Sequence, residues 1–305
     1  MIVDTHSSIW QSPEQLGVEA PARLARPTLF ANERVRLLPK ADTAAHLLAA
    51  EPVDRCFVLG FKSRYMQAEI PNRFIADYCA EHADRMIGFA GIDPAEDDCL
   101  EQLARIAGEP HLQGLVICPA AQDFHPCDTR AMRTYERAMK CRLPIIFSPG
   151  PYLAARTRLE YARPILLDEI ARTFPDLKMV ISHLGYPWVD EALTLIRKHE
   201  HVLANLAGLL GQPWIAYDAL LRACQLEITD KLLFGSDFPF AAAAESIEAL
   251  YNINQFARGT NLPVIDRENL RQIVENDALG LLGIQAPSGR VLAAWPKNRR
   301  LSRGG

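Results

Sequence analysis

Three titratable residues of this chain follow apolar segments and could together perform acid–base or metal chemistry: His6, His183 and Asp237. Imidazole and carboxylate side chains act as general acids and bases, and both bind divalent metals. Each residue alone also has an ordinary structural explanation, because a histidine at a strand end often only forms a hydrogen bond and Asp237 could cap a helix or an Asx turn. A functional site therefore requires a fold that brings the three together.

The elements that would position these residues are eight short apolar runs that alternate with longer amphipathic segments. Short, almost continuously apolar runs are typical of parallel strands covered by helices. The runs are Met1–His6, Arg55–Gly60, Met86–Asp93, Leu112–Cys118, Pro144–Ser148, Lys178–Ser182, Val202–Ala207 and Lys231–Asp237. A strand-then-helix unit repeated eight times predicts right-handed crossovers and an α/β fold that closes as a (β/α)8 TIM-like barrel.

Several of the intervening segments have helical patterns. Asp128 is an expected N-cap, and Met132, Tyr135, Ala138 and Met139 form an apolar stripe after it. The same reasoning predicts helices over residues 165–174, 188–199, 214–226, 242–256 and 266–282.

The carboxyl ends of the eight strands are the positions where such a barrel carries its chemistry. Closure brings the first strand beside the eighth, so we expect His6 and Asp237 to be neighbours and His183 to face the same central space. We further expect Ser148, Lys62, Arg64 and Trp188 to bind substrate, with the two cations recognising a carboxylate. Ordinary surface cations are the alternative explanation for Lys62 and Arg64.

The length of 305 residues alone would allow two domains, whereas the strand count predicts one. That domain covers residues 1–284, with a proline-rich insertion at 11–40 after the first strand. Long loops in compact domains are usually functional, so the insertion is expected to be an active-site loop or a partner contact. Residues 285–305 are expected to form a flexible basic tail. The insertion, together with an exposed Trp10 and Trp295, is compatible with a homodimer contact.

The composition excludes several classes of function. Hydrophobic residues make up 49% and charged residues 23%, and the net charge is −4, so the chain has no electrostatic field that would attract nucleic acid or an anionic membrane. Seven cysteines without a C-x-x-C pair argue against a disulfide framework and a structural zinc ribbon. The expectation is a cytoplasmic protein that acts on a small molecule.

The segments around the three candidate residues resemble a known family. Val3–His6, residues 181–188 and residues 233–239 look like signature segments of the amidohydrolase superfamily. Residues 124–128 and 275–283 are similar to further segments of its amidohydrolase-related (amidohydrolase 2) branch of TIM-barrel metal-dependent hydrolases. The resemblance runs from the first strand to about Ile284 and implies the same barrel.

The resemblance also implies an incomplete metal site. The family begins with His-x-His and has a further histidine after strand five, whereas this chain has Ser8 and Ser148 there. His6 and Asp237 remain as metal ligands, and His183 occupies the position that usually acts on water or substrate. A catalytic zinc usually has three protein ligands, and Cys118 and His125 lie where they could add to the set. We expect either no cofactor or a single, weakly held divalent metal such as zinc.

Three functions remain open at this stage. The first is hydrolysis of a small ester, lactone or amide, with Asp237 as general base on water, His183 orienting that water or polarising the carbonyl, and His6 hydrogen-bonding Asp237 or the oxyanion. The second is a decarboxylase or hydratase of the same branch. The third is a catalytically silent barrel that binds a small molecule or a partner, which the loss of two ligands would also explain.

Overall fold

The computed structural model describes residues 1–30 and 33–285, without the side chains of residues 26–37. The predicted tail from residue 286 onward, including Trp295, lies outside the described residues. Within them, no helix has the length and apolar character needed to cross a membrane.

Eight parallel strands form one sheet whose spatial order is the chain order. They are β1 (Val3–Ser8), β2 (Arg55–Leu59), β3 (Met86–Gly91), β4 (Leu112–Ile117), β5 (Ile145–Phe147), β6 (Met179–Ile181), β7 (Val202–Asn205) and β8 (Leu232–Leu233). The sheet closes at the seam between its first and last strands, where Ser7 bridges to Phe238 and the Thr5 N–H donates to the Phe234 carbonyl at 3.0 Å. The predicted (β/α)8 barrel is therefore confirmed.

Helices cover the outside of this barrel. They are α1 (Thr43–Ala49), α2 (Asn72–Glu81), α3 (Cys99–Ala107), α4 (Thr129–Lys140), α5 (Asp168–Thr173), α6 (Val189–Lys198), α7 (Pro213–Gln225), α8 (Ala243–Tyr251), α9 (Arg267–Glu275) and α10 (Ala278–Leu282). The predicted segment 266–282 is two helices rather than one. Asp128 occupies the N-cap of α4, but its side chain makes no capping hydrogen bond.

The insertion after β1 folds back over the carboxyl ends of the strands. It contains a 3-10 turn (Pro13–Leu16), a short helix (Ala20–Leu24) and an antiparallel pair formed by Arg26–Phe30 and Glu33–Leu37. The prediction that Trp10 is exposed was wrong, because the indole is buried in the hydrophobic core at the barrel mouth. Trp10 is thus not available for the dimer contact that the sequence suggested.

A chain of buried hydrogen bonds lies between β1, β2, α1 and α2. Ser7 Oγ donates to the Phe57 carbonyl at 2.7 Å, so it accepts from His46 Nε2 at 2.8 Å. His46 Nδ1 is then the acceptor for the Tyr78 hydroxyl at 2.7 Å. This direction requires a neutral imidazole, and burial, with Arg85 and His82 nearby, lowers the pKa of His46 to about 4.

We expect the stability of the fold to depend on pH through His46. The unfolded chain binds a proton on this residue near pH 6.5, whereas the folded protein keeps it neutral down to about pH 4. Unfolding therefore takes up a proton in this window, and the free energy of unfolding falls as the pH decreases from 6.5 to 4, by about 3 kcal/mol at most.

The measurement is denaturant unfolding of the protein and of His46→Gln at pH 7 and pH 4.5. Buried Asp4, whose pKa is raised to about 6, acts in the opposite direction in both proteins, so the comparison isolates His46. The stability advantage of the parent protein over His46→Gln should shrink at the lower pH. An advantage that is equal at both pH values would show that His46 does not titrate as described.

Candidate active site

The structure brings His6, His183 and Asp237 together at the carboxyl ends of the strands. One ligand atom from each residue lies within 4.8 Å of those from the other two. His6 Nε2 is 3.8 Å from Asp237 Oδ1, and the rings of His6 and His183 are 4.9 Å apart at their centroids. Within the described part of the chain, this is the group of histidine, cysteine and acidic side chains that could hold a metal ion.

A bulge in β1 presents His6 to this site. Asp4 pairs with Cys56 and Ser7 with Val58, so that Thr5 and His6 together occupy the space opposite one residue of β2. The Asp4 carboxylate accepts the His6 backbone N–H at 3.1 Å and the Ser236 N–H at 2.9 Å. Asp4 thereby joins the bulge to the segment that carries Asp237.

His6 is held as a neutral imidazole. Burial, and after it the proximity of His183, keep the pKa of His6 well below its ordinary value. Its Nδ1 atom lies 3.3 Å from Ser182 Oγ and 3.4 Å from Asn205 Nδ2.

His183 has a defined tautomer. Its Nδ1 lies 2.7 Å from the Ala207 carbonyl, which can only accept, so Nδ1 carries the hydrogen and Nε2 retains its lone pair. His183 adopts a left-handed backbone conformation with φ 55°, and its N–H donates to Asn205 Oδ1 at 3.1 Å. A β-region backbone would point the ring elsewhere, so this uncommon conformation contributes to the site.

Asp237 also has a left-handed backbone, with φ 69°. Its N–H donates to the His6 carbonyl at 3.0 Å, which fixes the carboxylate beside His6. Gly208 backs the carboxylate: a Cβ atom there would lie 2.8 Å from Asp237 Oδ2 and 3.2 Å from His183 Nδ1. A side chain at residue 208 would thus displace two of the three candidate residues.

The three side chains fit a divalent metal in the number and kind of their donors. Two imidazoles and one carboxylate make up a common three-ligand set of catalytic zinc. The sequence assigned only His6 and Asp237 to such a set, and the structure adds His183. Ser8 and Ser148, which stand where the family has histidines, both line the cavity beside this group.

The other two suggested ligands lie apart from the group. Cys118 lines the cavity but is not among the side chains whose ligand atoms converge, and burial raises the pKa of its thiol to about 12 in the metal-free protein. His125 is outside the cavity lining, and its Nδ1 accepts the Cys127 N–H at 3.1 Å.

A cavity of about 280 Å³ opens above the three residues. More than half of its lining residues are apolar or aromatic, and Trp10, Phe61, Tyr152, Phe238 and Phe240 are among them. Arg23, from the short helix of the insertion, is the single lysine or arginine among the described lining residues. The predicted role of the insertion as an active-site loop is therefore consistent with its position.

Three of the four predicted substrate-binding residues do not reach this cavity, whereas Ser148 does. Lys62 pairs with Glu96 at 2.8 Å and hydrogen-bonds Gln102 at 3.0 Å, and it lines a separate groove with Gln102 rather than the cavity. Arg64 is exposed, and its backbone N–H donates to Asp93 at 2.8 Å. Trp188 is half-buried at the start of α6. These residues follow strand ends as predicted, but that position alone does not direct a side chain into the cavity.

Four residues of the site escaped the reasoning from sequence: Asp4, Asn205, Gly208 and Arg23. Asn205 lies within the predicted run Val202–Ala207, but an amide gave no reason to single it out. Asp4 lies two residues before His6, a spacing that alternation along a strand would place on the same face. Neither Gly208 nor Arg23 stands at a spacing from the other site residues that would have identified it in the sequence.

Comparisons with known proteins agree with the barrel. Residues 3–284 match the Amidohydro_2 family model, described as amidohydrolase. No curated protein matches the chain in sequence.

Solved structures are similar at low sequence identity. A probable 2-pyrone-4,6-dicarboxylic acid hydrolase from Acinetobacter baumannii, with citric acid bound, has 13% identity and a TM-score of 0.64 over 92% of this chain and 99% of its own. A dihydroxybenzoic acid decarboxylase from Polaromonas sp. JS666, with manganese and 2-nitroresorcinol, has 15% identity and a TM-score of 0.60 over 93% and 97%. A zinc-bound amidohydrolase from Burkholderia multivorans has 15% identity and a TM-score of 0.64 over 93% and 100%.

These structural likenesses establish the fold, and the family match extends over nearly the whole chain. The protein therefore belongs to the amidohydrolase family.

Proposed function

We propose that this protein hydrolyses a small ester, lactone or amide with water activated at His6, His183 and Asp237. The observation that carries the proposal is the convergence of the three side chains, one ligand atom of each lying within 4.8 Å of those of the other two, together with the lone pair that the Nδ1 contact to Ala207 leaves on His183 Nε2. Two acceptors that converge in this way bind both hydrogens of one water molecule. Such a water presents its oxygen to an electrophilic carbon.

In this mechanism the protein's own side chains move the proton. Asp237 accepts a proton from the water as the oxygen attacks the substrate carbonyl, and His183 holds the second hydrogen and orients the water. His6 stabilises the oxygen of the carbonyl as it becomes negative. Asp237 then returns its proton to the leaving group, so that the carboxylate is regenerated and the proton balance closes.

A divalent metal, held by His6, His183 and Asp237, would supply a Lewis acid for the carbonyl oxygen. The proposal does not require it. We expect turnover to survive exhaustive treatment with a chelator, checked by elemental analysis of the same sample. Activity lost on chelation and restored by zinc or manganese would instead assign the reaction to a metal-dependent hydrolase.

The experiment that tests the function is an assay of the purified protein against panels of small lactones, esters and amides, and in parallel of cyclic carboxylates for release of carbon dioxide. Hydrolysis of at least one member is the expected result. The cavity of about 280 Å³ restricts the panel to compounds of one or two rings. Binding without turnover anywhere in the panels would favour the silent barrel.

Decarboxylation is a second candidate, supported by the apolar and aromatic residues that make up more than half of the residues lining the cavity. A carboxylate that is moved from water into such surroundings loses hydration, which favours departure of neutral carbon dioxide. The likeness to a decarboxylase fold agrees with this alternative. Carbon dioxide release without hydrolysis would establish it over the first proposal.

Arg23 is expected to bind an anionic group of the substrate at the mouth of the cavity. It is exposed and pairs at 3.5 Å with Glu19, the N-cap residue of its short helix. For a carboxylated substrate, Arg23→Gln should raise KM about tenfold with little change in kcat, because the contact would be made equally in the ground and transition states. Uncharged analogues are the control, and their KM should not change; a fall in kcat instead would place Arg23 at the reacting centre.

A further inference from the structure

His6 Nδ1 faces two polar side chains that decide which ring nitrogen carries the hydrogen. Both partners are buried: Asn205 is 0% and Ser182 1% exposed. The Ser182 hydroxyl can donate or accept, so it allows either tautomer. The orientation of the Asn205 amide is therefore the deciding feature.

The Asn205 amide is fixed by two backbone donors. Its Oδ1 accepts the His183 N–H at 3.1 Å and the Ala207 N–H at 3.4 Å. An amide turned the other way would set its NH2 group against both N–H groups. Nδ2, which can only donate, consequently points at His6 Nδ1 from 3.4 Å.

We propose that Asn205 holds His6 in the tautomer with hydrogen on Nε2, which makes this histidine a donor to the reacting oxygen and opposes metal binding through that atom. The inference rests on the proposed function for the role of the donor, but the tautomer itself is a property of the free protein. Nε2 is the atom that faces Asp237, at 3.8 Å from Oδ1. A metal at the three-residue group would need that nitrogen without its hydrogen.

The Nδ1 atoms of the two histidines have hydrogen-bond partners of different kinds. His183 Nδ1 donates to a carbonyl, the usual outer partner of a metal-ligating histidine, which leaves Nε2 able to bind a cation or hold water. His6 has an amide donor at the equivalent position, and this favours the reverse tautomer. Asn205 is thus a positioning residue that acts through His6.

An isosteric substitution of Asn205 should reverse the tautomer of His6. In Asn205→Asp, one carboxylate oxygen can still accept the two backbone N–H groups, while the other replaces Nδ2 and accepts from His6 Nδ1. The hydrogen should then move from Nε2 to Nδ1, and a carboxylate behind a histidine raises its basicity as a ligand. We expect zinc affinity to rise about 10–100-fold over that of the parent protein, the range by which such outer partners change metal affinity.

The test combines long-range 1H–15N spectra of the imidazole rings with competition titrations of zinc. At pH 7.5, metal-free parent protein should show His6 with hydrogen on Nε2, and Asn205→Asp should show it on Nδ1 with tighter zinc binding. Asn254→Asp is the matched control, since it makes the same charge change in a part-buried amide bonded to Ile265 outside the site. Its His6 spectrum and zinc affinity should equal those of the parent.

A second variant keeps the proposal testable if the buried carboxylate prevents folding. Ser182→Ala removes the hydroxyl that shares Nδ1 with Asn205, so His6 should keep its hydrogen on Nε2 and bind zinc more weakly than the parent. Hydrogen on Nδ1 in the parent or in Ser182→Ala would overturn the proposal, as would a folded Asn205→Asp that binds zinc no more tightly. A protein without turnover in the assay panels would remove the proposed function, while the spectra would still decide the tautomer.

Discussion

Replacing Asp237 with asparagine should lower kcat by about 10²–10⁴-fold while leaving the fold in place. The carboxylate is the proposed base for the attacking water, and a positioned general base contributes an acceleration of this size. Asparagine has nearly the same shape and tolerates the left-handed backbone at φ 69°, and the N–H that donates to the His6 carbonyl is retained. The measurement is the rate of hydrolysis at saturating substrate, with circular dichroism as the check on folding.

Asp93→Asn is the matched control for this substitution. Asp93, like Asp237, lies just beyond a strand of the barrel; it is buried and accepts the backbone N–H groups of Arg64 and Ala95 at 2.8 and 2.9 Å. It does not line the cavity, so the control should lose stability and keep its kcat. Equal turnover in Asp237→Asn and the parent protein would remove the proposed base from the mechanism.

Gly208→Ala is expected to have the second-largest effect on activity, a fall in kcat of about 10²-fold. The new Cβ atom would lie 2.8 Å from Asp237 Oδ2 and 3.2 Å from His183 Nδ1, closer than van der Waals contact allows. Asp237 must move to relieve its contact, and His183 must give by a few tenths of an ångström. A misplacement of about 1 Å among catalytic groups costs about 10²-fold, which gives the scale of the expected loss. Steady-state kinetics on the first substrate identified would measure the loss.

Two other glycines separate this clash from the other effects of the substitution. Gly259 has a similar backbone, with φ 69° against 66° at Gly208, and no atom of the described residues lies within 4 Å of the position that a Cβ would take there. Gly259→Ala therefore reports the cost of the left-handed conformation alone, about 1–2 kcal/mol of stability. Gly211→Ala, in the same loop as Gly208, has open space at its Cβ position and reports the effect of the added methyl group on the loop.

Both controls should retain the activity of the parent protein. If Gly208→Ala also retains it, the carboxylate and imidazole do not depend on the glycine for their positions. If all three variants lose activity together, the effect arises from the backbone rather than from contact with Asp237.

The order of the elements could be predicted from the sequence because it depends on local patterns. Apolar runs such as Leu112–Ile117 and Val202–Asn205 are short and buried on both faces, and each is followed by an amphipathic helix. Once eight such units close, the first and last strands must be neighbours. His6 and Asp237 could therefore be placed side by side without any knowledge of their side-chain contacts.

Contacts between distant segments could not be predicted in this way. Lys62 follows the second strand as expected, but its direction is set by Glu96, a residue of a later loop. Trp10 was expected to be exposed beside the proline-rich insertion, yet it is buried in the hydrophobic core at the barrel mouth. Both depend on packing between parts of the chain that no local pattern relates.

The sequence by itself determined the barrel, the edge where the site lies and the three titratable residues that meet there. Only the tertiary structure decided which atoms those residues offer one another: a carbonyl at His183 Nδ1, an amide at His6 Nδ1 and a bare glycine behind Asp237. The physical reason is that strand periodicity fixes the positions of residues along a sheet, whereas hydrogen positions depend on partners supplied by other strands and loops. Those partners distinguish a histidine that donates from one that binds a metal.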